Sequence, residues 1–225
     1  MTTALLQTTY FGPIQWYQKL YRYERCLIEQ HDSYQKQTYR NRCVIATANG
    51  LQALTVPVEH DSSDLTSESP KTKDLRISDH NQWRRIHWNA LQSAYSESPF
   101  FEYYADDIRP FFEKKYSFLV DFNEEIRQTM CNLLDIHPVV TYTSHFENLT
   151  SSHREYGVAM PSAFSHQPSA IIDFRNVIHA KHPQPDADFH PKEYWQVFQH
   201  KFGFQPNLSI LDLLFCMGPE SIFYL

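Results

Sequence analysis

The sequence predicts an α/β protein: a mixed or mostly parallel sheet flanked by helices, with a helical block after an N-terminal hairpin. Three observations carry this. Short β-rich apolar runs alternate with helical stretches. One pair of runs brackets Asn49-Gly50, a strong hairpin signal. Beyond it, apolar residues recur at helical spacing for several turns.

The elements follow in order. "TALLQTTYF" opens with an apolar run expected as a first buried strand. "GPIQWYQKLYRY" reads as a helix entered through Gly12-Pro13, since proline is tolerated in a first helical turn. "RCLIEQ" is a second strand. "RCVIATANGLQALTVPVE" is the hairpin, and "DLRIS" one more short strand. "NQWRRIHWNALQSAYS" carries Trp83, Ile86, His87, Ala90, Leu91 and Ala94 as a helical stripe. "SPFFEYYADDI" is expected to start from Ser98 as cap and Pro99 at the first helical position, and to end or kink at Pro110. "DFNEEIRQTMCNLLDI" has Asp121 and Glu124 in capping-box spacing. "PVVTYTS" and "SAIIDFR" are short strands, separated by a stretch of mixed helix and loop. "KHPQPDADFHP" is a proline-rich loop and "PKEYWQVFQHKFG" a helix. "NLSILDLLFCMG" is a last helix, capped by Asn207 or Ser209 and stopped by Gly218. The 225 residues suit one domain spanning 1–225, with 60–73 as a mobile surface loop.

Composition excludes several classes. An apolar fraction of 42% and a charged fraction of 20% support a real core. The 5 glycines are scattered at Gly12, Gly50, Gly157, Gly203 and Gly218, so neither a P-loop nor a dinucleotide loop is present. A net charge of −6 argues against nucleic acid as partner. No window is apolar enough to span a membrane, and no signal peptide opens the chain. Cys26, Cys43, Cys131 and Cys216 form no CxxC pair and are expected as reduced, mostly buried thiols of a cytoplasmic protein.

Candidate chemistry begins with "SYQKQTYRNRC". If this stretch is extended, Lys36, Arg40 and Arg42 share one face, and cations so spaced hold a phosphate or carboxylate. A solvated charged strand edge explains the same spacing and is the better reading of it taken alone. Gln7 and Tyr10 end the first strand, where open α/β sheets usually bind ligands; the alternative is that Gln7 satisfies backbone groups of the turn. His87 sits on an apolar stripe, as core histidines commonly do, yet it is the best general acid/base candidate. His179, His182, Asp186, Asp188 and His190 have no tight ligand spacing, and no metal site is assigned to them. Cofactors are left unassigned.

Five segments in order resemble the WbqC-like protein family: "LLQTTYFGPIQWYQKL", "DSYQKQTYRNRCVI", "GLQALTVPV", "HWNALQSAYSESPFFEYY" and "PNLSILDLLFCMGPES". The matching positions are Gln7, Tyr10, Pro13, Lys36, Asn41, Arg42, His87, Tyr95, Pro99, Ser209 and Asp212. The chain departs from the pattern at Thr8, at Gln15-Trp16, and at "EQHDSYQK", where the family often has paired acidic residues. The resemblance implies surface-polysaccharide biosynthesis of the O-antigen kind, with aminoacyl transfer to an amino sugar suggested for some members. It implies a group transferase acting on a small anionic or carbohydrate-linked substrate. Lys36 and Arg42 are then expected to clamp the anion, and Gln7, Tyr10, Asn41 and Tyr95 to orient the substrate. His87 is expected as acid/base, with Asp212 as its alternative or orienting partner. A non-catalytic binding or accessory protein of the same pathway is the rival expectation.

Overall fold

The computed structural model describes residues 2–59, 69–149 and 170–225. Its centre is a four-stranded, wholly parallel sheet of β1 (Thr2–Gln7), β2 (Arg25–Glu29), β5 (Val140–Tyr142) and β6 (Ala170–Asp173). The strands lie in the order β5-β2-β1-β6. Strand β1 is buried along its last four residues, as a strand covered on both faces must be. A separate antiparallel hairpin pairs β3 (Arg42–Thr47) with β4 (Gly50–Thr55). Its turn is Ala48-Asn49 rather than Asn49-Gly50. Gly50 is the first paired residue and adopts a φ of 100°, a conformation that favours glycine.

Helix α1 (Ile14–Arg22) connects β1 to β2, and Ile14 through Leu20 are all buried. Its aromatic richness has that cause: it is covered by the sheet and by α7 (Ile210–Met217), itself buried from Ile210 through Cys216. The helical block after the hairpin consists of α2 (Trp83–Tyr95), α3 (Phe101–Ile108), α4 (Pro110–Glu113) and α5 (Leu119–Leu133). Pro110 ends one helix and opens the next, where its missing N–H costs nothing. Tyr10, Phe11, Trp83, Phe111, Phe112 and Phe122 knit this block to the β1–α1 loop through a chain of ring contacts.

Several local expectations are corrected. The cap of α3 is Phe100, and the Ser98 hydroxyl instead donates back to the Tyr95 carbonyl. Helix α5 begins at Leu119, which puts Asp121 inside its first turn rather than at the cap. "DLRIS" forms only isolated bridges, Val58 with Ile77 and Arg76 with Phe118. Of "PKEYWQVFQHKFG" only α6 (Gln199–Phe202) is helical. The Gln196 side chain there bonds the backbone at Gln205 in both directions and pins a non-helical loop. Ser209 is the side-chain cap of α7, accepting from Leu211 N, and Gly218 ends the helix at a φ of 56°. Of the stretch 60–73, residues 60–68 lie outside the described residues, but Thr72 is buried and bonded to Asp32. The mixed segment expected between the last two strands falls mostly within 150–169, also outside them.

Candidate functional site at the carboxyl edge of the sheet

The chain runs from β1 to β2 on one side, and later returns to place β6 on the other side of β1. The order of connection therefore reverses between β1 and β6. Parallel α/β sheets bind ligands at such a point, beyond the carboxyl ends of the strands. Here Gln7 ends β1, and its side-chain amide donates to the Arg175 carbonyl just past β6.

Charged side chains gather at this edge. Glu29, the last residue of β2, is fully buried. Its carboxylate accepts four donors: His31 N at 2.8 Å, Thr143 Oγ1 at 2.8 Å, Glu147 N at 2.9 Å and Arg175 Nη1 at 3.0 Å. Arg175 also grips Asp173 with a two-point fork, Nε to Oδ1 at 2.9 Å and Nη2 to Oδ2 at 2.8 Å. Such filling of every lone pair is what makes a buried carboxylate tolerable. A second ion pair, Arg40 with Asp32, lies beyond β2. Asp32 also accepts from Thr72 Oγ1 at 2.5 Å. Arg40 is only 1% exposed, and its Nε and Nη1 have no hydrogen-bond partner among the described residues. Its charge reaches His179, whose pKa is lowered by burial, by His182 and by Arg40.

The seat that dinucleotide-binding folds offer to phosphate is closed in this chain. The first free amides of α1 are taken by the C-terminal segment: Ile14 N donates to the Leu208 carbonyl at 3.0 Å and Gln15 N to Asn207 Oδ1 at 2.9 Å. The absence of a glycine loop and this plug point the same way.

The residues singled out from the sequence are distributed over four places. Gln7 is at the carboxyl edge. Tyr10 and His87 form a buried pair, with the phenol oxygen 2.9 Å from Nδ1. Burial lowers the His87 pKa to about 4, against an opposing effect of the Thr55 backbone, so the imidazole is neutral and accepts from the phenol. Trp83, Phe112 and Tyr10 surround the ring. Tyr95 and Asp212 form another buried group: the carboxylate accepts from Tyr95 OH at 2.7 Å, Tyr194 OH at 2.6 Å and Gln196 Nε2 at 3.1 Å. Burial raises its pKa despite these donors. Asp212 and His87 share no hydrogen bond. In the loop before β3, Lys36 is exposed and Asn41 donates to the Val56 carbonyl at 2.8 Å, while Arg42, the first residue of β3, donates to Thr55 Oγ1 at 3.1 Å. That loop is a series of turns, with Gln37 at a φ of 63°, so the one-face pattern of an extended strand does not hold for Lys36, Arg40 and Arg42.

Glu29, Asp32 and Arg175 are the members that sequence reasoning missed, whereas Arg40 is named there as a loop cation without its partner Asp32. Their signals were present in "EQHD" at the end of a strand and in Asp173-Phe-Arg175 at the end of another. The proline-rich loop contributes Asp186, paired with buried Lys19 at 2.8 Å. Among the described residues no three ligating side chains surround a common point where a metal would sit. All four cysteines are free and buried. Among the described residues no helix is long and apolar enough to cross a membrane.

Comparison with known proteins adds one relative and one family. The chain is 28% identical over 235 residues to an uncharacterized protein, Rv1507c, of Mycobacterium tuberculosis (strain ATCC 25618 / H37Rv), covering 99% of this chain and 96% of that one. No solved structure matches. The strand end at Gln7, the Tyr10–His87 pair, the hairpin and the Ser209-capped helix all fall inside the 7–224 span matched by the model of the WbqC-like protein family, and the chain belongs to that family.

Proposed function

We propose that this chain is a cytoplasmic group transferase that holds an anionic, carbohydrate-linked precursor at the carboxyl edge of its parallel sheet, in surface-polysaccharide biosynthesis. The observation that carries the reading is the pair of buried ion-pair groups along the carboxyl edge, Glu29 with Arg175 and Asp173 about β1 and, beyond β2, Asp32 with Arg40, whose Nε and Nη1 have no partner among the described residues. Lys36, exposed in the loop before β3, recruits the anion, and Arg42 at the start of β3 is the second cation of that clamp. Gln7 orients the substrate at the strand end, while Tyr10, Asn41 and Tyr95, each buried and hydrogen-bonded within the fold, serve by holding the elements around it. Acyl transfer to an amine requires a base to accept the amine proton and cations to hold developing negative charge. His87, neutral at physiological pH, and Asp212 are the acid/base candidates.

A second reading, binding without conversion, is favoured by one specific observation. His87 is enclosed by aromatic rings, and its Nδ1 is already committed to Tyr10.

Titrating the purified protein with a panel of nucleotide sugars and acyl donors, and following product by mass spectrometry, separates the two. Turnover that falls in His87→Gln supports transfer. Saturable binding with no product from any pair supports the binder. No binding by any anionic member of the panel removes both.

A further inference from the structure

We propose that the cleft between the carboxyl end of α1 and the proline-rich loop is a second binding site, and that it takes a neutral sugar. It lies towards the opposite end of the sheet from Gln7. Thr2, which opens β1, is part of its lining and stands about 16 Å back along the strand. The inference does not rest on the carboxyl-edge reading.

The cleft measures about 550 Å³, a size typical of small-molecule sites. Arg22 and Tyr23 line it from the end of α1, Asp188 and His190 from the loop, and Ile172 from β6. Its walls are fixed. Asp186 pins the loop to the helix: its Oδ2 accepts from Lys19 Nζ and from Gln15 Nε2, each at 2.8 Å, and its Oδ1 accepts from Asp188 N at 3.1 Å. Tyr23 packs edge-to-face on Phe174 with ring centres 5.5 Å apart.

The polar groups of this lining are not used up by the fold. The Asp188 carboxylate meets only Tyr23 OH, at 3.5 Å, where Glu29 has four close donors. Arg22 Nη1 reaches the Asp188 carbonyl at 3.5 Å, also the outer limit of a hydrogen bond. Lys19 is fully buried and lines the cleft, and Asp186 is its one partner among the described residues. An ammonium carries three donors, so Lys19 has donors left to give.

Charge and shape name the ligand. Lys19 and Arg22 stand against Asp186 and Asp188, two of each sign, so these groups offer an ion no excess charge to repay its lost hydration. Hydroxyls both donate and accept, and fit a rim that mixes a carboxylate with ammonium and guanidinium donors. The apolar lining is Ile172, Ala187 and the body of Tyr23. That suits the C–H face of a sugar ring, whereas a planar base needs an apolar slot on both faces.

The test is titration of the full chain, followed by amide NMR, with glucose, galactose, mannose and N-acetylglucosamine, and with glucuronate and adenosine as contrasts. At least one neutral sugar should bind saturably and shift the Tyr23, Asp188 and His190 amides. Asp188→Ala changes an exposed side chain, so it should melt as wild type does and bind that sugar about tenfold more weakly, the effect of losing hydrogen bonds to a charged acceptor. If that variant does not fold, His190→Ala, also exposed, should weaken binding in its place. Binding by none of the four sugars, affinity unchanged in the variant, or tighter binding of glucuronate or adenosine overturns the inference. Shifts confined to the carboxyl edge around Gln7 overturn it as well, and leave the carboxyl-edge reading standing. Sugar binding here, with no donor turned over, removes the transferase reading and leaves this site standing.

Discussion

The Glu29 carboxylate and the Arg175 guanidinium meet at 3.0 Å across the end of β1, which runs between their two strands. The pair ties β2 to β6 at the edge where the connections reverse, and both partners are buried. Removing one member strands the other charge. Arg175→Met should therefore destabilise the fold by about 3–5 kcal/mol, and Arg175→Met with Glu29→Gln by clearly less. Urea unfolding of the two single variants and the double variant measures the coupling directly.

His87 predicts a pH dependence with a definite sign. Its folded pKa of about 4 lies below the ordinary value of 6.5, so the unfolded chain binds the extra proton between those values. Stability from this group is complete above pH 6.5 and is lost as pH falls towards 4. The shift corresponds to about 3 kcal/mol. Equilibrium unfolding across that window should show a slope that His87→Gln removes.

Asp212 acts in the opposite sense. Its folded pKa is raised, so its contribution is complete below the ordinary carboxylate value of 3.8 and is lost as pH rises through the folded value. Asp212→Asn removes that loss while keeping an acceptor for Tyr95 or Tyr194. As pH rises above the ordinary carboxylate value the variant should gain stability relative to wild type, levelling off once the buried carboxyl has ionised, and the same unfolding series reads it out.

Gly12 is required by a close approach rather than by its backbone angles. A Cβ at this position would stand 2.4 Å from Thr9 Oγ1 and 2.9 Å from Thr9 Cβ. Gly12→Ala should cost about 1–3 kcal/mol through overpacking. Adding Thr9→Ala should recover part of it, because the oxygen contact disappears while the Cβ contact stays. Thermal melts of the single and double variants test the difference.

Lys36 is exposed and has no hydrogen bond or ion pair among the described residues. Lys36→Ala should leave stability within about 0.5 kcal/mol, as surface substitutions usually do. If Lys36 recruits the anionic substrate, the same variant should weaken ligand binding, and more so at low salt. Calorimetric titration at two ionic strengths checks both statements.

What the sequence determined by itself was local or periodic. The β-rich run ending at Gln7, the aromatic helix after Pro13, the hairpin, the stripe through His87 and the Ser209 cap are each written in neighbouring residues, and an ordered series of such segments identified the family. Where a competing contact was distant, local reasoning failed. Gln196 bonded to Gln205 overrides a helical pattern, and the turns around Gln37 break the parity of a strand. The carboxyl-edge cluster belongs to the second kind entirely. Glu29 and Arg175 are 146 residues apart, and nothing near either one names the other. Only the parallel pairing of β1 with both β2 and β6 brings their strand ends to one edge. Only burial there makes the charges find each other, because an ion removed from water must be matched by whatever partner the fold supplies.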